Sequence, residues 1–303
     1  MPETLDCLII GGGPAGLTAA IYLARFHLSV TVADDGMSRA RQITRTHNHG
    51  GFPEGIAGTD LLGRMRDQAL KFGARFIESH IEGLVAGPGG FEACGRERIG
   101  LARAVLLATG VTNRRPEISE VLHAEGLSAG RLRYCPVCDG YEVTDQDVAV
   151  IGRDARALTE CIFLRSFTAR VTLILDEDAE FAEQDVDRLR AVGIRMVRGR
   201  PSDFALDQSG VHFTVCRSRM TFDTIYPALG SEIHSELAAS LGATLTDEGC
   251  IKVDAHQRTN IPGLYAAGDV VVGLDQISHA MGEAGVAATT IRNDLAAAKP
   301  ILR

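Results

Sequence analysis

An α/β fold of two parallel-sheet halves is what this sequence predicts, and three patterns predict it. Apolar runs at Leu5–Ile10 and Val148–Ile151 each lead through a glycine-containing turn into residues of helical spacing, and then into another apolar run. A third apolar strand, within Ile261–Asp269, ends on Gly268-Asp269 ahead of a long segment of small and apolar residues.

In the first half, Gly11-Gly12-Gly13-Pro14-Ala15-Gly16 follows the strand, and Leu17, Ala20, Ile21, Ala24 and Leu28 recur at helical spacing. The next strand, Val30–Ala33, ends in Asp34, 23 residues after Gly11. Such glycines let the backbone turn and approach a pyrophosphate. The helix N-terminus favours the anion, and a carboxylate at that offset accepts ribose hydroxyls. The stretch is a complete dinucleotide fingerprint, so both halves read as Rossmann-like.

The second half restarts the plan at Val148–Gly152, continues through a helical segment to Leu164 and reaches a strand at Val171–Leu175. Its turn reads Gly152-Arg153-Asp154-Ala155-Arg156-Ala157, and Asp176-Glu177-Asp178 follow its strand. Farther on, Leu245, Gly249, Ile251 and Val253 suggest a short strand pair. Ile277, Ala280, Ala284, Ala287, Ala288 and Ile291 mark a closing helix within Gln276–Leu295. The polar Thr112–Pro116 and the segment near Gly242–Thr246 are the expected domain boundaries.

With 303 residues there is room for two domains with cores of their own. The formal net charge of −8 argues against a nucleic-acid partner. No apolar stretch is long enough for a membrane helix. Acidic Glu3 and Asp6 stand where a signal peptide carries positive charge, so a soluble cytoplasmic protein is expected. The 33 glycines fit many tight turns or close backbone approaches to a ligand. Seven cysteines, an odd and scattered set, do not form a secreted disulfide framework.

One pair stands out. In Tyr134-Cys135-Pro136-Val137-Cys138-Asp139-Gly140, two thiols lie two residues apart, a spacing that closes a small disulfide ring and lets one sulfur attack a partner while the other resolves the intermediate. Arg131 and Arg133 just upstream favour a thiolate, and Asp139 is placed to move a proton. A structural zinc site needs four ligands, and no second Cys pair or spaced His pair accompanies these, so the redox reading is taken and no metal is expected. The strand at Val148 leaves no room for the long helix that follows such a pair in thioredoxin itself.

On Gly11–Gly16, Ala108-Thr109-Gly110, Cys135–Gly140 and Gly263-Leu264-Tyr265-Ala266-Ala267-Gly268-Asp269, in that order, the chain resembles the low-molecular-weight thioredoxin reductases over essentially its whole length. The resemblance implies an FAD domain made of both chain ends, 1–114 and 246–303. It implies a central nucleotide-type domain, 115–245, inserted between them and carrying the disulfide. It further implies a homodimer in which Cys138 faces the flavin and Cys135 exchanges with a thioredoxin-like protein or a small dithiol or disulfide. Gly11, Gly13, Pro14, Ala15, Gly16 and Asp34 are then expected to hold the ADP part of FAD, together with Ala108, Thr109 and Gly110. Gly268, Asp269, Gln276 and Ile277 are expected at the ribityl chain and the flavin pyrimidine edge, where a helix N-terminus stabilises negative charge. His279, one turn into the closing helix, is a candidate for assisting thiol proton transfer beside Cys135, Cys138 and Asp139. His47-Asn48-His49 reads as a loop near the flavin rather than a metal pair.

The second half departs from the pattern. Asp154 stands in place of a glycine that lets the pyrophosphate approach, and Asp176, Glu177 and Asp178 stand where NADPH users carry arginines for the 2′-phosphate. NADPH in the usual mode is therefore not expected. NADH stays open, because a carboxylate suits a ribose diol and Arg153 and Arg156 can reach a phosphate. Relatives of the reductases also work without pyridine nucleotide, oxidising dithiols with oxygen or drawing on a ferredoxin-type donor. A conventional NAD(P)H-dependent reductase and a flavin-binding redox sensor without turnover are the alternatives. The five isolated cysteines, Cys7, Cys94, Cys161, Cys216 and Cys250, read as small apolar residues, and Arg114-Arg115 as solvated hinge charges.

Overall fold

The computed structural model describes residues 4–95, 98–176, 179 and 181–302. In chain order it comprises β1 (Leu5–Ile10), α1 (Pro14–Arg25), β2 (Val30–Asp34), α2 (Gly58–Lys71), β3 (Arg75–Glu78), β4 (Gly83–Gly87), β5 (Gly90–Cys94), β6 (Arg98–Leu107) and β7 (Val111–Asn113). Next come α3 (Glu120–Ser128), α4 (Pro136–Asp139), β8 (Asp147–Gly152), α5 (Ala155–Leu164), β9 (Arg170–Leu175), α6 (Glu183–Ala191) and β10 (Arg195–Arg198). Strands β11 (Ser202–Asp207), β12 (Gly210–Val215), β13 (Ser218–Phe222), β14 (Thr224–Ala228) and β15 (Ser231–Ile233) follow, then α7 (Glu236–Ser240), β16 (Leu264–Ala266) and α8 (Ile277–Ala298).

The chain forms two compact units. The first comprises Met1–Arg45, His49–Thr112 and Ile233–Arg303, and the second Thr46–Asn48 and Asn113–Glu232. The return to the first unit thus falls at Ile233, earlier than the expected 245/246. The reason is packing: Ala238 of α7 and Ala243 are buried in one cluster with Leu84, Phe91 and Leu264 of the first unit. Residues 245–253 hold only the isolated bridges Leu245–Ile251 and Ile251–Val271 in place of the expected strand pair.

In the first unit the sheet runs β3-β2-β1-β6-β5-β4, with β16 also pairing β6. β1 is parallel to β2 and β6, and β6 to β16, whereas β5 is antiparallel to both its neighbours. Central parallel strands are covered on both faces, so β1 is apolar at nearly every position rather than alternating. Cys7 and Ile9 point into the core shared with α1, α2 and α8, while Leu5, Leu8 and Ile10 point into the opposite core. Pro14 at the first helical position and alternating small residues let α1 pack closely on α8, whose Ala284, Ala287 and Ala288 are fully buried.

The second unit repeats this economy. Its sheet, β10-β9-β8-β14, is entirely parallel. Helix α5 covers one face through Ala157, Leu158, Cys161 and Leu164. The antiparallel β11-β12-β13 covers the other, stacking Phe213 on Phe222 against Ala149, Ile151 and Ile174. In each unit the first strand has a neighbour on either side that is reached by connections running in opposite directions. The turn after β1 and the turn after β8 therefore open at topological switch points, where ligands of such sheets bind. Among the described residues no helix is long and apolar enough to cross a membrane.

Candidate active site

The glycine turn after β1 is shaped by contacts that exclude side chains. Gly11 has φ +110°, and a Cβ there would lie 2.2 Å from the Ala108 carbonyl oxygen. A Cβ on Gly12 would meet the Asp34 carboxyl at 2.3 Å, and one on Gly16 the Gly11 carbonyl oxygen at 1.9 Å. Asp34 Oδ1 accepts from the backbone N–H groups of Gly12 and Gly36, both at 3.2 Å, so this carboxylate also braces the turn. Helix α1 begins with Gly13 at its N-cap, no capping side chain and no acidic residue in its first turn. Its N-terminal amides therefore face no built-in anion, and the residues present fit the pyrophosphate of a dinucleotide.

Ala108, Thr109 and Gly110 continue from β6 beside this turn. Ala108 N–H donates to Ile10 O, Thr109 Oγ1 donates to the His234 carbonyl at 2.6 Å, and Gly110 O accepts from His234 N–H. Gly268, at φ +82°, comes within 2.9 Å of Ala15 Cβ when a Cβ is placed on it, so β16 delivers Gly268-Asp269 to the start of α1. Asp269 pairs with Arg39 Nη2 at 2.7 Å, and Arg39 Nη1 reaches Asp275 at 3.3 Å. Burial pushes the Asp269 carboxyl up, and Arg39 opposes that. Arg39, on a short 3-10 turn, has no sequence spacing that marks it.

Gln276 is the N-cap of the 22-residue α8 and Ile277 its first residue, and again no acidic side chain lies in the first turn. His279 does not stand alone. Its Nε2 is 3.0 Å from Glu283 Oε1, and Glu283 Oε2 accepts the Gly268 N–H at 2.8 Å. Glu283, missed in the sequence, ties α8 to the Gly-Asp turn. Its carboxyl is raised by burial, an effect opposed by the Gly268 N–H and His279.

The corresponding turn in the second unit is built differently. Gly152 remains necessary, since a Cβ there would lie 2.4 Å from Ala157 Cβ. At the N-cap of α5, however, Asp154 accepts the Arg156 N–H at 3.0 Å, so a carboxylate already caps the helix. A cleft of about 410 Å³ opens beside it, lined by Gly152, Arg153 and Asp176 together with Arg114, Arg115 and Arg200. Arg115 and Arg200 are paired with Glu120 and Glu117. Arg114-Arg115, read as hinge charges, thus belong to the lining of this cleft. Glu177 and Asp178 lie outside the described residues.

In the same unit Cys135 and Cys138 are joined as a disulfide. Pro136, at the first helical position, starts the single turn α4, and Cys138 N–H donates both to Cys135 O at 2.9 Å and to Cys135 Sγ at 3.1 Å. Hydrogen bonding of this kind favours a thiolate on Cys135 once the bridge opens. Asp139 is clamped: Arg133 Nη1 donates to its Oδ2 at 2.9 Å and the Tyr226 hydroxyl to its Oδ1 at 2.8 Å. Burial raises the Asp139 carboxyl above its usual range, while Arg133 and Tyr226 pull it back. The sequence suggested that Arg131 and Arg133 act on the thiols. In the structure Arg133 turns to Asp139, and Arg131 donates to the Asp223 and Gln208 carbonyls. Tyr226, fully buried on β14, carries no sequence signal, because an aromatic residue in an apolar strand reads as core.

Of the other cysteines, Cys7 and Cys161 are buried and their thiols raised by burial, whereas Cys94 and Cys216 are exposed at strand ends rather than packed as expected. Thr46–Asn48 groups with the second unit, where Asn48 Nδ2 donates to Val137 O at 3.4 Å between the two cysteines. Among the described residues no three His, Cys, Asp or Glu side chains form a metal-holding group.

Comparison with known proteins agrees with this layout. Residues 5–284 match the model of the family described as pyridine nucleotide-disulphide oxidoreductase. The chain is 34% identical to a thioredoxin reductase of Mycolicibacterium smegmatis over 287 residues, covering 88% of each. Among solved structures it is similar to thioredoxin reductase from Streptococcus pyogenes, at 26% identity and TM-score 0.89, covering 98% of this chain and 100% of that one. It is also similar to the atypical thioredoxin reductase TRi from Desulfovibrio vulgaris Hildenborough, at 31% identity and TM-score 0.56, covering 98% of this chain and 100% of that one.

Proposed function

This chain belongs to the pyridine nucleotide-disulphide oxidoreductase family, among its thioredoxin reductase-like enzymes, and from that premise we propose that it is an FAD-dependent thiol/disulfide oxidoreductase working without NADPH in the usual mode. The observation that carries this reading is the contrast between the two helix starts at the switch points: α1 has no capping side chain and no acidic residue in its first turn, and α5 is capped by Asp154. A flavin bound in the first unit supplies a two-electron carrier there. Gly11, Gly13, Pro14, Ala15 and Gly16 hold its pyrophosphate on the amides of α1, Asp34 meets the ribose, and Ala108, Thr109 and Gly110 line the adjoining wall. Gly268, Asp269, Gln276 and Ile277 hold the ribityl and pyrimidine side, and Arg39 keeps Asp269 oriented.

At the redox turn, an external thiol attacks Cys135 Sγ, the Cys135–Cys138 bond breaks, and its electron pair leaves on Cys138 as a thiolate. Asp139 exchanges the proton that this step moves. A second thiol of the partner then displaces Cys135, giving the partner disulfide and two cysteine thiols, and the reverse sequence reduces a partner disulfide. His279, carried over from the reductase pattern as a further proton-transfer candidate, is held by Glu283 at 3.0 Å. The partner is a thioredoxin-like protein or a small dithiol, the working unit a homodimer, and the site of action the cytoplasm. The further electron exchange is with oxygen or a ferredoxin-type carrier. One of the similar structures is itself a thioredoxin reductase described as atypical.

Anaerobic reduction of the purified protein with NADPH, NADH, reduced ferredoxin and a dithiol in parallel, followed by its visible spectrum, tests the reading. We expect bleaching by dithiol or ferredoxin and none by stoichiometric NADPH. Rapid bleaching by NADPH would replace it with a conventional NADPH-dependent reductase, and by NADH with the NADH-dependent form. Colourless protein that takes up no FAD would remove the flavin assignment itself. Unchanged exchange with dithiols after Cys138→Ser would remove the redox turn from the mechanism.

A further inference from the structure

Asp139 has two side-chain partners, and one is a cation that the exchange chemistry does not itself require. Arg133 lies two residues before Cys135 and is fixed from several directions. Its backbone N–H donates to Ile225 O on β14, its Nε donates to Gly130 O at 3.1 Å, and its Nη1 meets Asp139 Oδ2 at 2.9 Å. Gly130 adopts φ +66°, and a Cβ on it would press on Arg133 Nη2 at 2.9 Å, so the tight turn leaves space for the guanidinium. Across the carboxylate, Tyr226 is immobilised within β14 and donates to Oδ1 at 2.8 Å. The carboxylate is held between two donors aligned by the same strand.

We propose that Arg133 is the positioning residue of the redox turn: with Tyr226 it clamps the Asp139 carboxylate and thereby sets both its direction and the proton it carries during thiol–disulfide exchange. This rests on the reading of Asp139 as the group that moves the proton. The charged and ionisable groups facing Asp139 are Arg133, Tyr226 and, from the short turn that follows, Glu142. Helix α5 also packs against α4, and its Glu160 interacts with Arg156 and Asp154 instead. Among the described residues Arg133 is the cation in ion-pair contact with Asp139, at 2.9 Å. Without it the carboxyl would keep its burial and the repulsion from Glu142, with the Tyr226 hydroxyl as its side-chain donor. It would then hold its proton to higher pH.

When a thiol opens the bridge, one S–S bond breaks as another forms, the electron pair goes to Cys138 and the thiol's proton goes to the Asp139 carboxylate. The rate of that opening therefore carries a break in its pH dependence at the ionisation of Asp139. The test uses the full-length flavoprotein with its disulfide formed and dithiothreitol as probe. Opening is stopped in acid and the new thiols are counted by alkylation, from about pH 5 to about pH 9. For Arg133→Gln the break moves to higher pH by about one unit or more, and for Arg133→Lys, which keeps the charge, it returns close to the parent's position. An unmoved break in Arg133→Gln overturns the proposal, as does a Lys variant that behaves like Gln. Asp139→Asn, measured alongside, should lose the break. If it keeps the parent's profile, the proton role of Asp139 falls. If it loses the break while Arg133→Gln does not move it, only the role of Arg133 falls.

Discussion

The N-termini of α1 and α5 occupy the same place in two copies of one frame, each following a buried parallel strand at a switch point. Yet the first offers bare amides and the second arrives with its own anion. Around α1, three glycines clear the approach and no acidic residue stands in the first turn. At α5, Asp154 takes the capping amide. Farther along, the Glu160 carboxyl sits with Oε2 buried and without a hydrogen-bond partner, pushed up to about 7 chiefly by burial. A helix terminus attracts an anion only while that position is vacant. The frame alone therefore does not specify a nucleotide site, and the few residues at the turn decide it.

The comparison breaks most sharply at Gly11. Gly11→Ala puts a methyl group 2.2 Å from Ala108 O at a positive φ, and the purified variant should retain roughly a tenth or less of the parent's flavin, read from its visible absorbance per protein. Full occupancy would mean that the turn does not hold the cofactor. Next in size is Glu160. Its folded value near 7 lies above the ordinary 4.5, so its contribution to stability is complete below that ordinary value and is lost as pH rises through 7. Glu160→Gln should remove this slope and stabilise the protein by about 1–3 kcal/mol at alkaline pH, as measured by urea unfolding. An unchanged slope would locate the loss of stability with rising pH elsewhere. The smallest effect sharpens the contrast in the other direction. Asp154→Gly keeps most of the capping stability, and removing the carboxylate should tighten NADPH binding about five- to tenfold by calorimetry. No gain would show that Asp176 and the paired arginines, rather than the cap, close the cleft.

Both turns were legible in the sequence because they are local: a glycine run, a strand ending in an acid and a helical spacing all lie within a few dozen consecutive residues. The Cys135–Cys138 pair was legible for the same reason. What the sequence hid are partners brought from afar, such as Tyr226 on Asp139, Arg39 on Asp269 and Glu283 on the Gly268 amide. Each looked ordinary in its own element, a core aromatic, an exposed arginine and a helix-surface acid, and took on meaning only through tertiary contact. Arg133 was noticed but given the wrong target, because a cation two residues from a cysteine suggests the thiol while the Gly130 turn points it at a carboxylate. Ile233–Leu245 was assigned across the boundary because burial of Ala238 and Ala243 leaves no composition signal.

The ring closed by Cys135 and Cys138 spans a sequence separation of three. By loop-closure entropy a crosslink this short restrains an unfolded chain by about 2 kcal/mol, against nearly 5 for a hundred-residue loop. The backbone bonds from Cys138 and Asp139 to the Cys135 carbonyl, and from Gly140 to Pro136, do not depend on the crosslink. Opening the bridge therefore costs the second unit a few degrees of melting temperature, well short of what a long crosslink would cost, and reducing agents should change its chemistry before they change its architecture.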